Sequence, residues 1–428
     1  MSRLLISVSH TVTATLLLGL ATTPARAGRA LLLNGTSGES LGMAGADVAV
    51  MGSSAAVNLN PSGLTQLVAG GWDVYVEPYS AFGFEHRDTL GNDDVIDHPV
   101  GAVMAGSYAQ RLAAFPDVVA ATGLFVQGGN ALGYESLLTD FGNRDTLSAN
   151  IGVLKFANGL GWKVNAQWSL GATLGVSWVR GSQKLLPETS DANTSFFGLR
   201  FDSGSSIQIN GQFGVHYRPV PSVTLAAVYT SKIPLQLQSG TTTVNFDAIG
   251  LGHVKHRDAR IDGLALPEEI DIGIAWRPAP QWLLSAEYNW LDYSDAVQGT
   301  RLRARNPDHA AAPALIDATS PLNWRDQHVV AVGAAYELNT NNTVRAGFNM
   351  QNNALPGQTL SPAFNVIQQR EVTFGFGRKF RQGWSVDAAV EYQLPVTQTY
   401  FNPSLPLGTQ SREHYELLGI LITLSRRW

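Results

Sequence analysis

The second half of the chain alternates apolar and polar positions with a period of two. EIDIGIAW sets Ile270, Ile272, Ile274 and Trp276 against Asp271, Gly273 and Ala275. HVVAVGAAYEL sets Val330, Val332, Ala334, Tyr336 and Leu338 against small residues and Glu337. WSVDAAVEYQL sets Trp384, Val386, Ala388, Val390, Tyr392 and Leu394 against Ser385, Asp387, Ala389, Glu391 and Gln393. Successive side chains of a strand point to opposite faces, so each segment is a strand with one apolar face. Breaker residues divide the chain into fourteen strands. They lie near 72–85, 98–110, 118–134, 145–157, 163–182, 204–218, 222–238, 268–278, 281–293, 326–338, 342–352, 370–380, 384–394 and 413–428.

Two architectures accommodate this pattern. A soluble sandwich turns its apolar faces inward, and a membrane barrel turns them out to lipid. The connections separate the two. Even-numbered strands lead into the short turns LAAFPD, ANGLG, RPVPS, PAPQ, NTNN and RQG, whereas odd-numbered strands lead into long polar segments such as 183–203, 239–267 and 294–325. Short periplasmic turns alternating with long external loops describe an up-and-down outer-membrane barrel. Trp72, Trp162, Trp276, Trp282, Trp384 and Trp428 collect at the short-turn ends, where indole rings favour a membrane–water interface. The last strand, LLGILITLSRRW, is aromatic at its end and resembles the signal read by the barrel assembly machinery, with Arg426 the one polar break in its outer face.

Composition fits an exported membrane protein. Charged residues are 15% of the chain, against about 25% in soluble proteins. The net charge of −5 leaves no footprint for nucleic acid. Arg3, the apolar Leu4 to Leu20 and Ala25-Arg26-Ala27 read as a secretory signal over 1–27. There is no Cys, hence no disulfide framework and no lipidation site. Beyond the signal no apolar run is long enough for a transmembrane helix.

Residues 28–71 are rich in Gly and Ala and show no alternation. They are either a periplasmic tail or a plug inside the barrel. Barrel size argues for a plug, because fourteen strands enclose more than their side chains fill. Within this segment Pro61 fixes its own φ and holds Asn60 extended.

The chain as a whole resembles the FadL/TodX family of outer-membrane transporters for long-chain fatty acids and aromatic hydrocarbons. SLGMAGADVAVMGSSAAVNLNPSGL, residues 40–64, resembles the family's hatch, with Asn60-Pro61-Ser62 standing where the family carries Asn-Pro-Ala. FVQGGNALGYE, residues 125–135, resembles its kinked third strand, and 264–295 and 323–357 resemble its C-terminal strands. The resemblance implies an all-β fold: a monomeric 14-stranded antiparallel transmembrane barrel (72–428) closed by an N-terminal hatch (28–71). It implies passive uptake of a hydrophobic ligand across the outer membrane of a Gram-negative bacterium, with no enzyme activity and no cofactor. Fatty acid is the leading ligand and an aromatic hydrocarbon the alternative. The ligand lands between external loops, enters an internal pocket at the hatch tip, and leaves sideways at the third-strand kink. Burying a CH₂ is worth about 0.8 kcal/mol, so a dry path with a side exit suits such a ligand.

Candidate residues follow, each with a plainer reading. Gly128 and Gly129 inside a strand mark a bulge or a close approach, and the resemblance makes them the lateral gate. Leu31, Leu32 and Leu33 would line the pocket as the hatch tip, or pack against the wall. The resemblance brings Arg325 to a ligand carboxylate, which a guanidinium binds in bidentate fashion; it is equally a rim charge paired with Asp326 or with lipopolysaccharide. Leu185, Leu186, Phe196, Phe197 and Leu199 form a binding groove or pack their own loop. His253 and His256 have a spacing seen in metal sites, but two histidines are a weak signal and a solvated loop is the expectation. The rival classes are an outer-membrane hydrolase, for which no spacing singles out a triad, and a polar porin, disfavoured by inward residues that read as mostly small and uncharged and by the plug.

Overall fold

The computed structural model describes residues 29–50 and 52–428. The expected signal, 1–27, lies outside the described residues. Fourteen strands form the wall: β1 Gly70–Ser80, β2 Val100–Leu112, β3 Phe115–Leu138, β4 Arg144–Lys163, β5 Trp168–Asp191, β6 Phe196–Val220, β7 Val223–Thr230, β8 Glu269–Ala279, β9 Trp282–Leu291, β10 Gln327–Glu337, β11 Asn342–Gln351, β12 Arg370–Lys379, β13 Trp384–Tyr400 and β14 Ser411–Arg427. Each pairs antiparallel with the next in chain order. β1 pairs with β14 from Gly71–Arg427 to Ser80–Leu418, which closes the barrel.

The alternation orients the wall. Ile270, Ile272, Ile274, Val330, Val332, Ile420 and Ile422 are exposed on the outside, while Asp271, Glu287, Glu391 and Thr423 are buried inside. Apolar-out and polar-in is the pattern of a lipid-facing barrel. Aromatic pairs ring the short-turn end: Trp72 and Trp384 meet edge to face at 5.4 Å, Trp168 stacks on Tyr217 at 4.3 Å, and Trp282 meets Tyr336 at 4.8 Å. Arg426 lies over the Trp384 ring at 5.5 Å, so the one charge on that face rests on an aromatic surface.

The structure corrects two expectations. ANGLG is not a turn: β4 runs through it to Lys163, and the chain reverses at 164–167, where Asn165 Oδ1 accepts from the Gln167 and Trp168 amides at 2.8 and 2.9 Å. Gly159 and Gly161 within it face inward, where a Cβ would crowd Val57 and Pro61. Their glycines serve close approach rather than reversal. The segments 183–203, 239–267 and 294–325 are not loops throughout: β5 and β6 extend through the first as far as Asp191 and Phe196. Leu237–Asn245 pairs with the upper end of β6 and with His253–Asp262, which pairs with Gly299–Pro307 and through it with Leu315–Pro321. The wall therefore continues as a sheet beyond the apolar band, where no lipid enforces alternation.

Candidate functional site

Residues 29–50 and 52–67 lie inside the barrel and bond to strands all round it. The Leu31 amide donates to Tyr293 Oη beyond β9 at 3.0 Å. Asn34 Nδ2 donates to Glu371 of β12 at 2.8 Å, and the Gly38 amide to Thr423 Oγ1 of β14 at 2.8 Å. The Asp47 and Val48 amides both donate to Glu287 Oε2 of β9 at 2.8 Å. The Ser54 amide donates to Asp73 of β1 at 2.9 Å. Inward residues were expected to be mostly small and uncharged, with the acids Asp271, Asp387 and Glu391 among them. The charged residues Asp73, Asp271, Glu287, Glu371, Glu391 and Lys155 face the lumen, buried, and two of them, Glu287 and Asp73, accept from backbone amides of the plug, which a carboxylate does strongly.

The Asn60-Pro61-Ser62 motif opens a 3₁₀ turn, Pro61–Gln66. Asn60 Oδ1 accepts from the Ser62 amide at 3.1 Å and its hydroxyl at 2.6 Å, a cap reinforced by the hydroxyl that alanine would lack. Asn60 Nδ2 donates to the Val48 carbonyl at 2.8 Å and sits 3.2 Å from His216 Nε2 of β6. The wall makes room for this turn with glycine. A Cβ on Gly171 of β5 would collide with the Pro61 and Ser62 backbone, and one on Gly214 of β6 with Asn60 Oδ1. The receiving side, Gly171, Gly214, His216 and Glu287, was not singled out from sequence. Glycine at inward positions of alternating strands was the available signal.

Near its other end the segment meets a break in the wall. The β2–β3 ladder runs from Leu112–Phe115 to Gly106–Leu124 and stops there, while the β3–β4 ladder continues to Leu138–Arg144. Between Val126 and Gly128 the register shifts, and Gly129 has φ +156° with the Ile151 carbonyl against its Cα. No other residue type takes that place without strain. The β3 edge left by β2 is met by the plug: the Gly129 amide donates to the Leu31 carbonyl at 2.9 Å, and Leu32 bridges to Gly128. Leu31, Leu32 and Leu33 belong to a buried apolar cluster with Phe125, Leu132, Tyr134, Ile151, Tyr293 and Trp324. On the wall above the break, Asp97, His98, Gly133, Glu135 and Lys184 line a cavity of about 160 Å³.

The outer candidates reach that cluster only in part: Leu186 belongs to it, and Leu185, Phe196 and Leu199 pack against it. Arg325 is exposed on the rim, and Asp326 bonds to Trp290 Nε1 at 3.1 Å and the Ser294 amide at 3.0 Å. Phe196 packs on Phe141 at 5.8 Å and Phe197 on Phe246 at 5.1 Å, at the half-buried tip of the β5–β6 hairpin. Leu186 is fully buried, and Leu185 and Leu199 are partly buried against the core. His256 is not in a solvated loop: it is buried, with Nε2 2.9 Å from the Pro313 carbonyl. Among the described residues no cluster of His, Asp or Glu could hold a metal. His86, above the apolar band, stands 3.3 Å from Asp88 and 2.6 Å from Glu413. Burial opposes its charge, but the bonds to both carboxylates outweigh burial and push its pKa up to about 9.

A closed fourteen-stranded wall with an apolar exterior and a plugged lumen defines an outer-membrane β-barrel. Residues 18–404 match the model of the outer membrane protein transport protein family (OMPP1/FadL/TodX), and the chain belongs to that family. Similar solved structures include the Pseudomonas putida toluene transporter TodX, 18% identical over 93% of this chain and 100% of that one, with a TM-score of 0.75. The Ralstonia pickettii toluene transporter TbuX is 19% identical over 92% and 99%, with a TM-score of 0.73. A Pseudomonas aeruginosa FadL homologue is 17% identical over 92% and 98%, with a TM-score of 0.71. No curated protein sequence matches the chain.

Proposed function

We propose that this protein passively takes up long-chain fatty acids across the outer membrane, holds them in the apolar interior at the Leu31–Leu33 tip, and releases them sideways between β2 and β3. One observation carries the reading: the ladder that ends at Gly106–Leu124, with the plug's own backbone on the free edge. A water-filled route would re-expose the ligand, at about 0.8 kcal/mol per CH₂. Residues 28–71 act as the hatch, and displacement of its tip opens the side exit. Gly128 and Gly129 are the gate, Asn60-Pro61-Ser62 the anchor, and Phe196, Phe197 and Arg325 the landing area. The protein works as a monomer without catalysis, contacts lipid and lipopolysaccharide, and is inserted by the barrel assembly machinery. An aromatic hydrocarbon is the second reading, favoured by the toluene transporters among the similar folds.

The test is uptake of labelled oleate and labelled toluene by a deletion strain with and without the restored gene. Restored oleate uptake supports the first reading and restored toluene uptake the second. Unchanged uptake of both defeats the proposal.

A further inference from the structure

The inner face of β4 changes character in one step. Leu147, Ala149, Ile151 and Val153 are buried and apolar, and the next inward residue is Lys155. β5 changes at the same level, from Val179 to Ser177, the register partner of Lys155. β6 carries Asn210 there, opposite Gly175 of β5. Lys155 and Ser177 are 0% exposed and Asn210 3%. Lys155 Nζ, Ser177 Oγ and both polar atoms of the Asn210 amide have no hydrogen-bond partner. Glycine brings them together: a Cβ on Gly175 would collide with Asn210 Oδ1 and Lys155 Cε, so amide and ammonium stem share the space over its Cα.

The plug is pinned just below this niche. Thr173 Oγ1 donates to the Val57 carbonyl at 2.8 Å, and Gln212 Nε2 to the Leu59 carbonyl at 2.7 Å. Lys155 is also the register partner of Phe125, shortly before the Gly128 kink. These buried polar groups thus sit at the end of the apolar inner faces of β4 and β5, close in register to the break in the wall. Buried polar groups are costly without partners. An ammonium offers three donors, a hydroxyl one and an amide two. The set has a surplus of donors and one positive charge, which a carboxylate satisfies and a hydrocarbon does not.

The geometry points to a headgroup station: Lys155, Ser177 and Asn210 receive the carboxylate of an amphiphile whose tail lies along Val153, Ile151 and Val179. It rests on the transport reading and narrows the ligand to one carrying an anionic head.

Oleate and methyl oleate are titrated separately into the full-length protein in detergent micelles, with binding followed by tryptophan fluorescence. Wild type is expected to bind oleate at least about tenfold tighter than the ester. Lys155→Met abolishes that preference with ester affinity within about twofold of wild type, and Lys155→Arg retains it. Ester binding reports that each variant is folded. A preference surviving in Lys155→Met, or equal affinities in wild type, overturns the headgroup station alone. Wild type that binds neither compound overturns the transport reading and the station with it.

Discussion

The Gly129 amide donates to the Leu31 carbonyl at 2.9 Å. An edge strand inside a membrane is untenable unless its backbone groups are satisfied. Here the chain's own N-terminal residues satisfy it. Displacing Leu31 would leave the Gly129 amide unpaired at the break and free the plug tip together.

Gly128→Val tests that coupling. A side chain at Gly128 collides with the Leu31 carbonyl. The variant is expected to keep a folded barrel, shown by heat-modifiable migration in gels. Trypsin cleavage after Arg29 should rise by about tenfold or more, since local opening governs proteolysis. Cleavage at the wild-type rate would sever the kink from the tip.

Gly214→Leu attacks the seat of the motif from the wall. The added side chain enters the space of Asn60 Oδ1. Overpacking costs about 1–3 kcal/mol, so the plug should be displaced while the wall, held by its ladders, remains. Single-channel conductance in planar bilayers is expected to rise several-fold over wild type. An unchanged conductance would mean that the plug is held elsewhere.

Within the motif, two substitutions should differ. Ser62→Ala deletes the hydroxyl bond to Asn60 Oδ1 at 2.6 Å, a loss of about 0.5–1.5 kcal/mol. Asn60→Ala removes the cap, at about 0.5–2 kcal/mol, and also the bond to Val48. Hydrogen exchange over 54–66 should quicken slightly in the first and strongly in the second. Equal effects would count against the role given to the asparagine.

His86 gives a pH dependence with a defined sign. Its folded pKa of about 9 lies above the ordinary value of 6.5. Its stabilisation is complete below about pH 6.5 and is lost as pH rises through about 9. Exchange protection over 85–95, corrected for intrinsic rates, should fall across that window, and His86→Gln should flatten the fall. The same slope in both proteins would remove His86 as the cause.

Much of the wall was legible because lipid enforces it. Ile270, Ile272 and Ile274 face hydrocarbon and could not alternate otherwise. Above the apolar band that demand ends, so His253–Asp262 and Gly299–Pro307 set charged residues against few apolar ones, such as Arg301, Arg303 and Arg305 against Leu302 and Ala304, and read as loops. ANGLG was misread for a related reason. Glycine signals both reversal and close approach, and only the position of the plug separates the two. The motif Asn60-Pro61-Ser62 was legible as a stretch of chain, but its partners Gly171, Gly214 and His216 lie more than a hundred residues away. Lys155 was not singled out, because its burial comes from three strands and the plug together.

The bond from the Gly38 amide to Thr423 Oγ1 joins residues 385 apart in sequence. The plug is synthesised first, yet part of its seat is on the last strand. Non-local contacts of this kind form late and slowly. The seat of the N-terminal segment is therefore complete only once β14, the last strand made, is in place and the ring shuts around it.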